Sequence, residues 1–347
     1  KGLKFRPQRA YAIHSFFEER TKIQPGLFKA LGRAPDGSLI MQQTVLDEKA
    51  KYSKEIRQYR KYHFESVVNY DRQFGTDHRT SALIYYYLSD AKHTDDAKNN
   101  LEAIPLRYQG VSSRLTYGFR DTYLLDVNFG YTGSENFQPG RQYGFFPSIA
   151  LGWVPTGYKY IQENAPWLNY FKIRASYGTV GNDRISQIRF PYLTKVNQGS
   201  SNVWGIPGIE TINETRIGAD NLAWERAIKS NIGFEGKLFN NKIDFVFDLF
   251  KDQRNGIFQQ RVQVPSYVGV ISNPFANVGR MKSSGMDGNI SYTHNLSDRM
   301  GFTLRGNFTY SKNVVQNWEQ AYLEYPYLEF NGFPHKSIRG YQALGLF

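Results

Sequence analysis

The chain has 347 residues, of which 43 are Lys or Arg and 31 are Asp or Glu, so its formal net charge is +12. It has no cysteine, which excludes disulfide scaffolds, zinc sites built on thiolates and cysteine catalysis. Its 25 tyrosines, 25 phenylalanines and 31 glycines, with few runs of charge, argue against intrinsic disorder.

The predicted elements are β-strands, because apolar residues recur with period two rather than with the helical period of 3.6. From Tyr123 to Tyr131, aromatic and aliphatic residues alternate with mostly polar or small ones such as Asp126 and Asn128. No helix of three turns is predicted, and no run of residues approaches the roughly 20 apolar positions of a membrane helix. In chain order the predicted strands lie near residues 5–17, 54–70, 79–90, 107–119, 122–131, 145–154, 168–178, 226–238, 242–251, 282–295 and 300–310, with weaker ones near 188–195 and 257–264.

The lengths of the strands and of their connections separate two all-β architectures. The strands run over about 9 to 15 residues, whereas soluble strands average about 5 to 6 and tilted membrane strands need about 9 to 11. Short turns at 119–122, 239–241 and 295–299 alternate with long polar stretches at 132–144, 179–225 and 252–281, while 155–167 is intermediate. This asymmetry favours an antiparallel transmembrane β-barrel of the outer membrane over a soluble β-sandwich. The chain ends do not close such a barrel, so we expect a piece of a larger one.

Four ordered segments carry a family resemblance. The sequence of 117–137, with its Tyr-Leu-Leu strand and its Gly-Ser loop ending in Phe137, resembles the barrel signature of SusC/RagA-type TonB-dependent transporters of the Bacteroidota outer membrane. The further matches are Phe-Pro-Ser with Gly-Trp in 146–153, Lys-Ile-Arg-Ala-Ser-Tyr-Gly with Gly-Asn in 172–182, and Asn-Leu-Ala-Trp-Glu in 221–225, with weaker similarity at 277–285 and 340–347.

The resemblance implies that residues 1–347 form one partial domain of a 22-stranded barrel, with 132–144, 179–225 and 252–281 as extracellular loops. It implies TonB-dependent active import of an oligosaccharide or a peptide, with a SusD-like lipoprotein as lid. The TonB complex would act through a plug that this sequence does not contain, and outer-membrane lipid would surround the barrel. A barrel for protein export or attachment, or a passive pore, is the alternative, and a hydrolytic enzyme ranks third.

The sequence offers no cofactor or metal motif. None of the six histidines is spaced as a metal pair, and the acidic residues Asp90, Asp95 and Asp96 do not align with a calcium-binding loop. Phosphate-binding loops and a nucleophile elbow are also missing from the sequence. Basic residues are spread over the polar strand faces, apart from most aromatic residues, which indicates a wet, positively biased lumen or a headgroup-facing surface rather than a nucleic-acid interface.

Three aromatic residues in long loops are the candidate substrate contacts: Trp204, Tyr267 and Trp318. Loops carry binding functions more often than strands do, and aromatic rings pack on sugars and on peptide side chains. Three further tryptophans, Trp153, Trp167 and Trp224, lie at predicted strand ends, where an anchor at the membrane interface is expected.

Overall fold

The computed structural model describes residues 2–93, 101, 103–184, 188–203, 206–219, 221–297, 300–340 and 345, with the backbone alone for 200–203 and 206–209. Two compact units are present. The first comprises 1–8, 64–88 and 107–347, and the second comprises 9–63 and 89–106. The strands are β1 (Leu3–Gln24), β2 (Leu27–Arg33), β3 (Leu39–Val45), β4 (Glu48–Phe74), β5 (His78–His93), β6 (Leu106–Phe119), β7 (Tyr123–Ser134), β8 (Tyr143–Trp153), β9 (Leu168–Asn182), β10 (Lys195–Val203), β11 (Ile206–Arg216), β12 (Glu225–Leu238), β13 (Ile243–Gln260), β14 (Phe275–Ser297) and β15 (Met300–Asn317).

The described strands form one large sheet and two separate hairpins. The order in the large sheet is β1-β4-β5-β6-β7-β8-β9-β12-β13-β14-β15, and β2 with β3 and β10 with β11 are the two hairpins. The pairings along β6 to β15 are antiparallel. The sheet thus follows the chain order, and the hairpins interrupt it only as insertions. The all-β antiparallel expectation is confirmed.

The predicted alternation places one apolar and one polar face on the sheet of the first unit. Leu125 of β7 faces Tyr117 of β6 and Leu151 of β8 in register, and the same row continues through apolar pairs in the later strands. Large side chains of this face are exposed: Tyr123, Phe129, Tyr131, Ile149, Leu151, Trp153, Tyr177, Ile232, Leu249, Met286, Ile290, Leu304, Phe308 and Tyr310. Exposed apolar area of this extent marks a surface that contacts something other than water.

Short turns join strands at one end of this sheet. Arg120 and Asp121 have φ of 53° and 49°, and Phe239, Asn240 and Asn241 also lie in the left-handed region, as tight hairpin turns require. The connection between β8 and β9 lies at the same end and is longer, with the six-residue helix α1 (Lys159–Asn164). This agrees with the intermediate length expected for 155–167.

Several sequence-derived boundaries are wrong. The expected loop 252–281 is mostly strand, because β13 extends to Gln260 and β14 begins at Phe275, and the two are paired through this region. The expected loop 179–225 contains the hairpin β10–β11, and the weak strand at 188–195 is an irregular segment before it. The polar sequence Asp252-Gln253-Arg254-Asn255 shows no apolar alternation, so period two did not reveal these strand extensions.

The second unit is a strand ribbon with few buried residues. Tyr11 stacks on Tyr62 with ring centroids 4.6 Å apart, and the Tyr59 ring lies 4.6 Å from that of His93. The hydroxyl of Tyr52 donates to the Glu19 carboxylate at 2.8 Å. The hairpin β2–β3, which the sequence did not predict, exposes residues such as Phe28 and Met41, and no strict alternation marks it.

Candidate functional site

One cluster of buried apolar side chains in the first unit lies at the end of the sheet opposite the short turns. Phe137, in the connection between β7 and β8, is fully buried at 0% exposure, and Leu222 is buried as well. We call this group the loop-end cluster: Phe137, Ala219 and Leu222, with Trp224, Phe258 and Phe275 packed against them. It joins residues of the β7–β8 connection and of the segment before β12 with the facing ends of β13 and β14, so these elements share one small core.

Trp224 lies within this cluster rather than at a membrane interface. Its ring centroid is 5.0 Å from that of Phe137 and 5.3 Å from that of Phe146. Its indole Nε1–H donates to the carbonyl oxygen of Gln142 at 3.2 Å. The prediction of an interfacial anchor is therefore wrong for Trp224, because the β7–β8 connection folds against it and takes up its hydrogen-bond donor.

Two glycines make room for the aromatic rings. A Cβ at Gly181 would lie 1.9 Å from Phe146 Cζ, and a Cβ at Gly144 would lie 2.3 Å from the same atom. Real Cβ atoms do not approach other atoms so closely, so the ring of Phe146 needs a glycine at both positions. This accounts for Gly181 of the Gly-Asn pair at 181–182, which the sequence indicated only by resemblance.

Polar side chains tie the same loops together. Ser134 Oγ donates to Asp183 Oδ2 at 2.7 Å, and Asn136 Nδ2 donates to the Asp183 carbonyl at 3.1 Å. These bonds connect the start of the β7–β8 connection to the residue that follows β9. The buried Glu225 carboxylate lies 3.3 Å from the guanidinium Nε of Arg254, which ties the start of β12 to β13.

Asn277 fixes the segment that precedes β12. Its Oδ1 accepts from the backbone N–H of Ala223 at 2.9 Å, and its Nδ2 donates to the carbonyls of Ala223 at 2.9 Å and of Gly256 at 2.8 Å. Gly256 has φ of 67°, a left-handed conformation that favours glycine, and it lies at an irregularity in the β13–β14 pairing. The Asn277 carboxamide thus supplies hydrogen bonds to the backbone of Ala223 and Gly256 beside this irregularity.

The hairpin β10–β11 has a firmly bonded base. Arg216 donates from Nη2 to the carbonyl of Phe190 at 3.2 Å and from Nε to that of Leu193 at 3.2 Å, and burial lowers the pKa of its guanidinium. Phe190 is buried with φ of 47°, an unfavourable conformation for a residue with a Cβ. A Cβ at Gly218 would lie 2.3 Å from the backbone oxygen of Tyr192.

The structure describes two of the three predicted substrate contacts, Tyr267 and Trp318. Trp204 lies outside the described residues. Tyr267 is 88% exposed on a single 3-10 turn, Ser266–Val268, in the loop 261–274. Trp318 is half-buried just after β15, where its backbone bonds to the Asn331 side chain and its ring lies 6.1 Å from that of His335.

Glu319 connects the loop of Tyr267 with the segment of Trp318. Its Oε1 accepts the backbone N–H groups of Gln263 at 3.0 Å and Val262 at 3.2 Å, and its Oε2 lies 2.5 Å from Arg261 Nε. Burial by itself raises the pKa of this carboxyl, but the two backbone donors and Arg261 outweigh burial, so the pKa lies below its ordinary value. This contact is not predictable from the sequence, because its partners are 56 to 58 positions apart.

The polar face of the sheet carries an ion-pair network. Arg174 donates from Nε to Glu235 at 2.8 Å and from Nη2 to Asp248 at 2.6 Å, and Lys172 Nζ lies 3.6 Å from Glu235. A Cβ at Gly233 would lie 2.7 Å from Arg174 Cζ and 2.6 Å from Asp248 Oδ1. The Arg174 side chain therefore lies across β12 at a position where only glycine leaves space.

The described residues lack two features that would point to other functions. No group of three or more His, Asp or Glu side chains there is arranged to hold a metal ion. In the same part of the chain, none of the helices has the length and apolar character that a bilayer crossing requires.

Comparison with known proteins decides the family. The family described as "TonB dependent receptor-like, beta-barrel" matches residues 24–341. The chain belongs to this TonB-dependent receptor family. It is 25% identical over 333 residues to TonB-dependent receptor P39 of Formosa agariphila, and the aligned residues cover 88% of this chain and 31% of that protein. It is 23% identical over 205 residues to TonB-dependent receptor SusC of Bacteroides thetaiotaomicron, covering 58% of this chain and 20% of SusC.

The fold agrees with the family. The structure of the RagAB peptide importer in the "closed-closed" state superposes with a TM-score of 0.70 at 19% identity, covering 96% of this chain and 37% of that chain. The SusC/RagA resemblance and the β-barrel fold class are thereby confirmed. The receptor barrel is located in the bacterial outer membrane, and its relatives are named as receptors and importers rather than as enzymes. The chain spans between 20% and 31% of the length of these curated relatives.

Proposed function

We propose that the protein is the barrel of an importer that takes up an oligosaccharide or a peptide across the outer membrane in a TonB-dependent manner. The observation that carries this proposal is the two-faced sheet. An exposed apolar face suits contact with lipid, and a polar face with the Arg174 network suits a water-filled or plug-filled lumen. The family match over 24–341 supports the same assignment.

The loops at one end of the sheet are the proposed ligand-binding region. The loop-end cluster fixes the roots of the connections after β7, β9 and β13, so the residues beyond it are presented from a firm base. We retain Trp204, Tyr267 and Trp318 as substrate-contact candidates. Tyr267 is more exposed than Trp318 and is therefore the first of these residues to test.

A SusD-like surface lipoprotein is the proposed lid over these loops, and the TonB complex is the proposed energy source, acting through a plug. Both proposals follow from the likeness to SusC and to the RagAB structures. The domain assignment, residues 1–347 as one partial barrel with its long loops outside the cell, is proposed on the same ground.

Uptake by the native bacterium tests the function. The gene is deleted, and cells are given labelled mixtures of oligosaccharides or of peptides with and without a protonophore. We expect loss of protonophore-sensitive uptake of one of the two mixtures, and restoration by the gene. Uptake that depends on the gene but survives the protonophore would indicate a passive pore. Loss of surface proteins with unchanged uptake would indicate an export barrel instead.

A further inference from the structure

Basic side chains interrupt the apolar face of the sheet at the end of the strands opposite the short turns. Along β13 the alternation runs from Leu249 to Lys251, and along β15 it runs from Tyr310 to Lys312. β14 lies between these two strands and carries Lys282 on the same face. We call Lys251, Lys282 and Lys312 the lysine triangle, and all three are exposed.

The lysine triangle is small enough for its three ammonium groups to act on one ligand. Ser284 of β14 pairs with both Lys251 and Lys312, so two strand spacings, about 10 Å, separate the Cα atoms of these lysines. Lys282 lies two residues from Ser284, which is about 7 Å along the strand. Each ammonium group lies at the end of a flexible hydrocarbon chain, so the three can converge above Ser284.

The lysine triangle has no acidic partner. Within the described residues none of its members forms an ion pair, and neither do Arg226 and Arg280, which flank Asn255 on the same face. The register places every Asp and Glu of β12 to β15 on the polar face, where Lys229 pairs with Asp252 at 3.4 Å. This part of the apolar face therefore carries lysines and arginines without a carboxylate.

The charges of the neighbouring loops do not neutralise these cations. In the loop 261–274 the charged residue is Arg261, and it pairs with Glu319. The segment 217–224 before β12 adds one carboxylate, Asp220. The segment 318–340 adds two carboxylates and two cations outside the Arg261–Glu319 pair: Glu324, Glu329, Lys336 and Arg339. The excess of positive charge on the apolar face is therefore retained.

The cations are local rather than part of a belt around the sheet. Across β7, β8 and β9 no Lys or Arg lies on the apolar face. There the face remains aromatic toward the same end, with Tyr131, Tyr143 and Phe145 exposed. Cations that only anchored the protein at the membrane surface would recur on these strands, so the cluster indicates a particular ligand.

The lysine triangle lies where the apolar band ends. Lys312 is twelve residues beyond the first residue of β15, which gives a height of about 30 Å for a strand tilted by about 40°. The apolar band of membrane barrels is about 25 Å tall, so Lys312 lies at the level of the lipid headgroups. Lys282, fifteen residues before the end of β14, lies higher. Lys251 lies lower, eight residues into β13, and its flexible chain can extend along the strand toward the same level.

We propose that the lysine triangle binds the phosphate of a phosphorylated glycolipid in the outer leaflet, while the acyl chains of that lipid lie on Leu249, Met286 and Tyr310. These three exposed residues form one row beside the triangle, on the side of the short turns. Clustered cations next to an apolar surface suit a ligand that combines phosphate with hydrocarbon, since lysine binds phosphate as a point charge. A soluble phosphate would need only the cations.

The lipid site goes beyond import, because no step of the proposed function requires a bound lipid. It rests on one part of the proposed function, the placement of the loops outside the cell. That placement brings this end of the strands to the leaflet that carries glycolipid.

Native mass spectrometry of the full receptor tests the proposal. The receptor is purified in detergent, stripped of lipid and titrated with lipid A that carries phosphate. The triple variant Lys251→Gln, Lys282→Gln, Lys312→Gln is expected to bind it about a hundredfold more weakly, since each cation near a charged lipid surface contributes about fivefold in affinity. Replacing the same three lysines by arginine should retain binding. The matched control Lys159→Gln, Lys229→Gln, Lys237→Gln removes the same charge from α1 and the polar face, and it should bind as the wild type does.

Several outcomes would overturn the glycolipid site. Equal affinity of the wild type and the glutamine variant overturns it, and so does an arginine variant as weak as the glutamine variant. Equal affinity of the wild type for lipid A freed of its phosphate overturns it as well, because the apolar face alone would then account for binding. Displacement of lipid A by an equimolar amount of phosphatidylglycerol or of inorganic phosphate would assign the lysines to another anion.

A separate measurement checks the placement on which the site rests. The variant Tyr267→Cys is treated in intact cells with a maleimide that does not cross the outer membrane. Reaction in intact cells supports loops outside the cell. Reaction only after the cells are opened contradicts that part of the proposed function, independently of the lipid titration.

Discussion

Arg261 Nε lies 2.5 Å from Glu319 Oε2, and this contact joins the end of β13 to the segment that follows β15. The Arg261–Glu319 pair is accompanied by two backbone N–H groups that donate to the same carboxylate, so a single side chain organises the start of the loop 261–274. The loop of Tyr267 is therefore anchored at its root, although its tip is exposed.

Replacing Glu319 with Gln should loosen that root. An amide retains one acceptor but loses the charge that Arg261 and the backbone donors stabilise, so the free energy of local opening should fall by about 1–3 kcal/mol. Hydrogen–deuterium exchange of peptides covering 261–268 measures this change. Glu324→Gln is the matched control because Glu324 is exposed on the same segment, and faster exchange in both variants alike would contradict the assigned role.

The lowered pKa of Glu319 predicts that the local stability of residues 261–268 depends on pH. The folded-state pKa of Glu319 is lowered relative to an unperturbed glutamate, near pH 4.3. Its stabilisation is therefore complete above the unfolded pKa and is lost as the pH falls through the folded pKa. The protection factors of 261–268, corrected for the pH dependence of intrinsic amide exchange, should fall below about pH 4 in the wild type and change less in Glu319→Gln. A fall in the protection factors between pH 6 and 8 would instead assign the effect to another group.

Trp224→Ala should destabilise the loop-end cluster. Removing a large ring from a packed site leaves a cavity, and the Gln142 carbonyl keeps only the bond from the Ser134 N–H, so we expect a loss of about 3 kcal/mol. Thermal unfolding in detergent, with exchange of peptides covering 135–142, reports the effect. Trp167→Ala removes an exposed tryptophan near the short turns and should leave those peptides unchanged. Equal protection of 135–142 in Trp224→Ala and the wild type would show that the ring does not hold this loop.

Gly218→Ala should disrupt the base of the hairpin β10–β11. The new Cβ would meet the backbone oxygen of Tyr192, which cannot move away as a flexible side chain could, and the expected cost is about 1–3 kcal/mol. Gly199→Ala in the same hairpin meets nothing within 4 Å and should cost under about 0.5 kcal/mol. Limited proteolysis between 190 and 216 compares the two variants. Similar cleavage rates would contradict the close packing at Gly218.

The ion pair between Arg174 and Asp248 on the polar face should show a measurable coupling free energy. A double-mutant cycle with Arg174→Gln and Asp248→Asn is expected to give about 1–3 kcal/mol, because Asp248 is buried and the pair is hydrogen-bonded. The control pair Lys229 and Asp252, 3.4 Å apart and largely exposed, should give below about 1 kcal/mol. Denaturant unfolding of the whole receptor supplies the four free energies of each cycle. A coupling energy near zero in the Arg174–Asp248 cycle would mean that these two charges act independently.

The sequence predicted the strands where a lipid-facing row demands strict alternation, as in 123–131 of β7. It did not predict the outer parts of β13 and β14, because strands with polar residues on both faces leave no period-two signal. Nor did it predict the hairpin β2–β3. The motif residues of the family resemblance were found, but their purpose was not. Gly181, Trp224 and Asn277 each meet their partners only after the chain has folded, and these contacts span up to 82 positions in sequence.

Cysteine scanning of β7 tests the central claim, that one face of the sheet meets lipid and the other an aqueous lumen. The chain contains no cysteine, so single substitutions report without background. Cysteines at Asp126 and Asn128 should react with a small water-soluble maleimide in intact outer membranes. Cysteines at Leu125 and Val127 should react only after denaturation and should be quenched, once labelled, by a bilayer-restricted quencher. Equal aqueous reactivity at all four positions would contradict the membrane barrel.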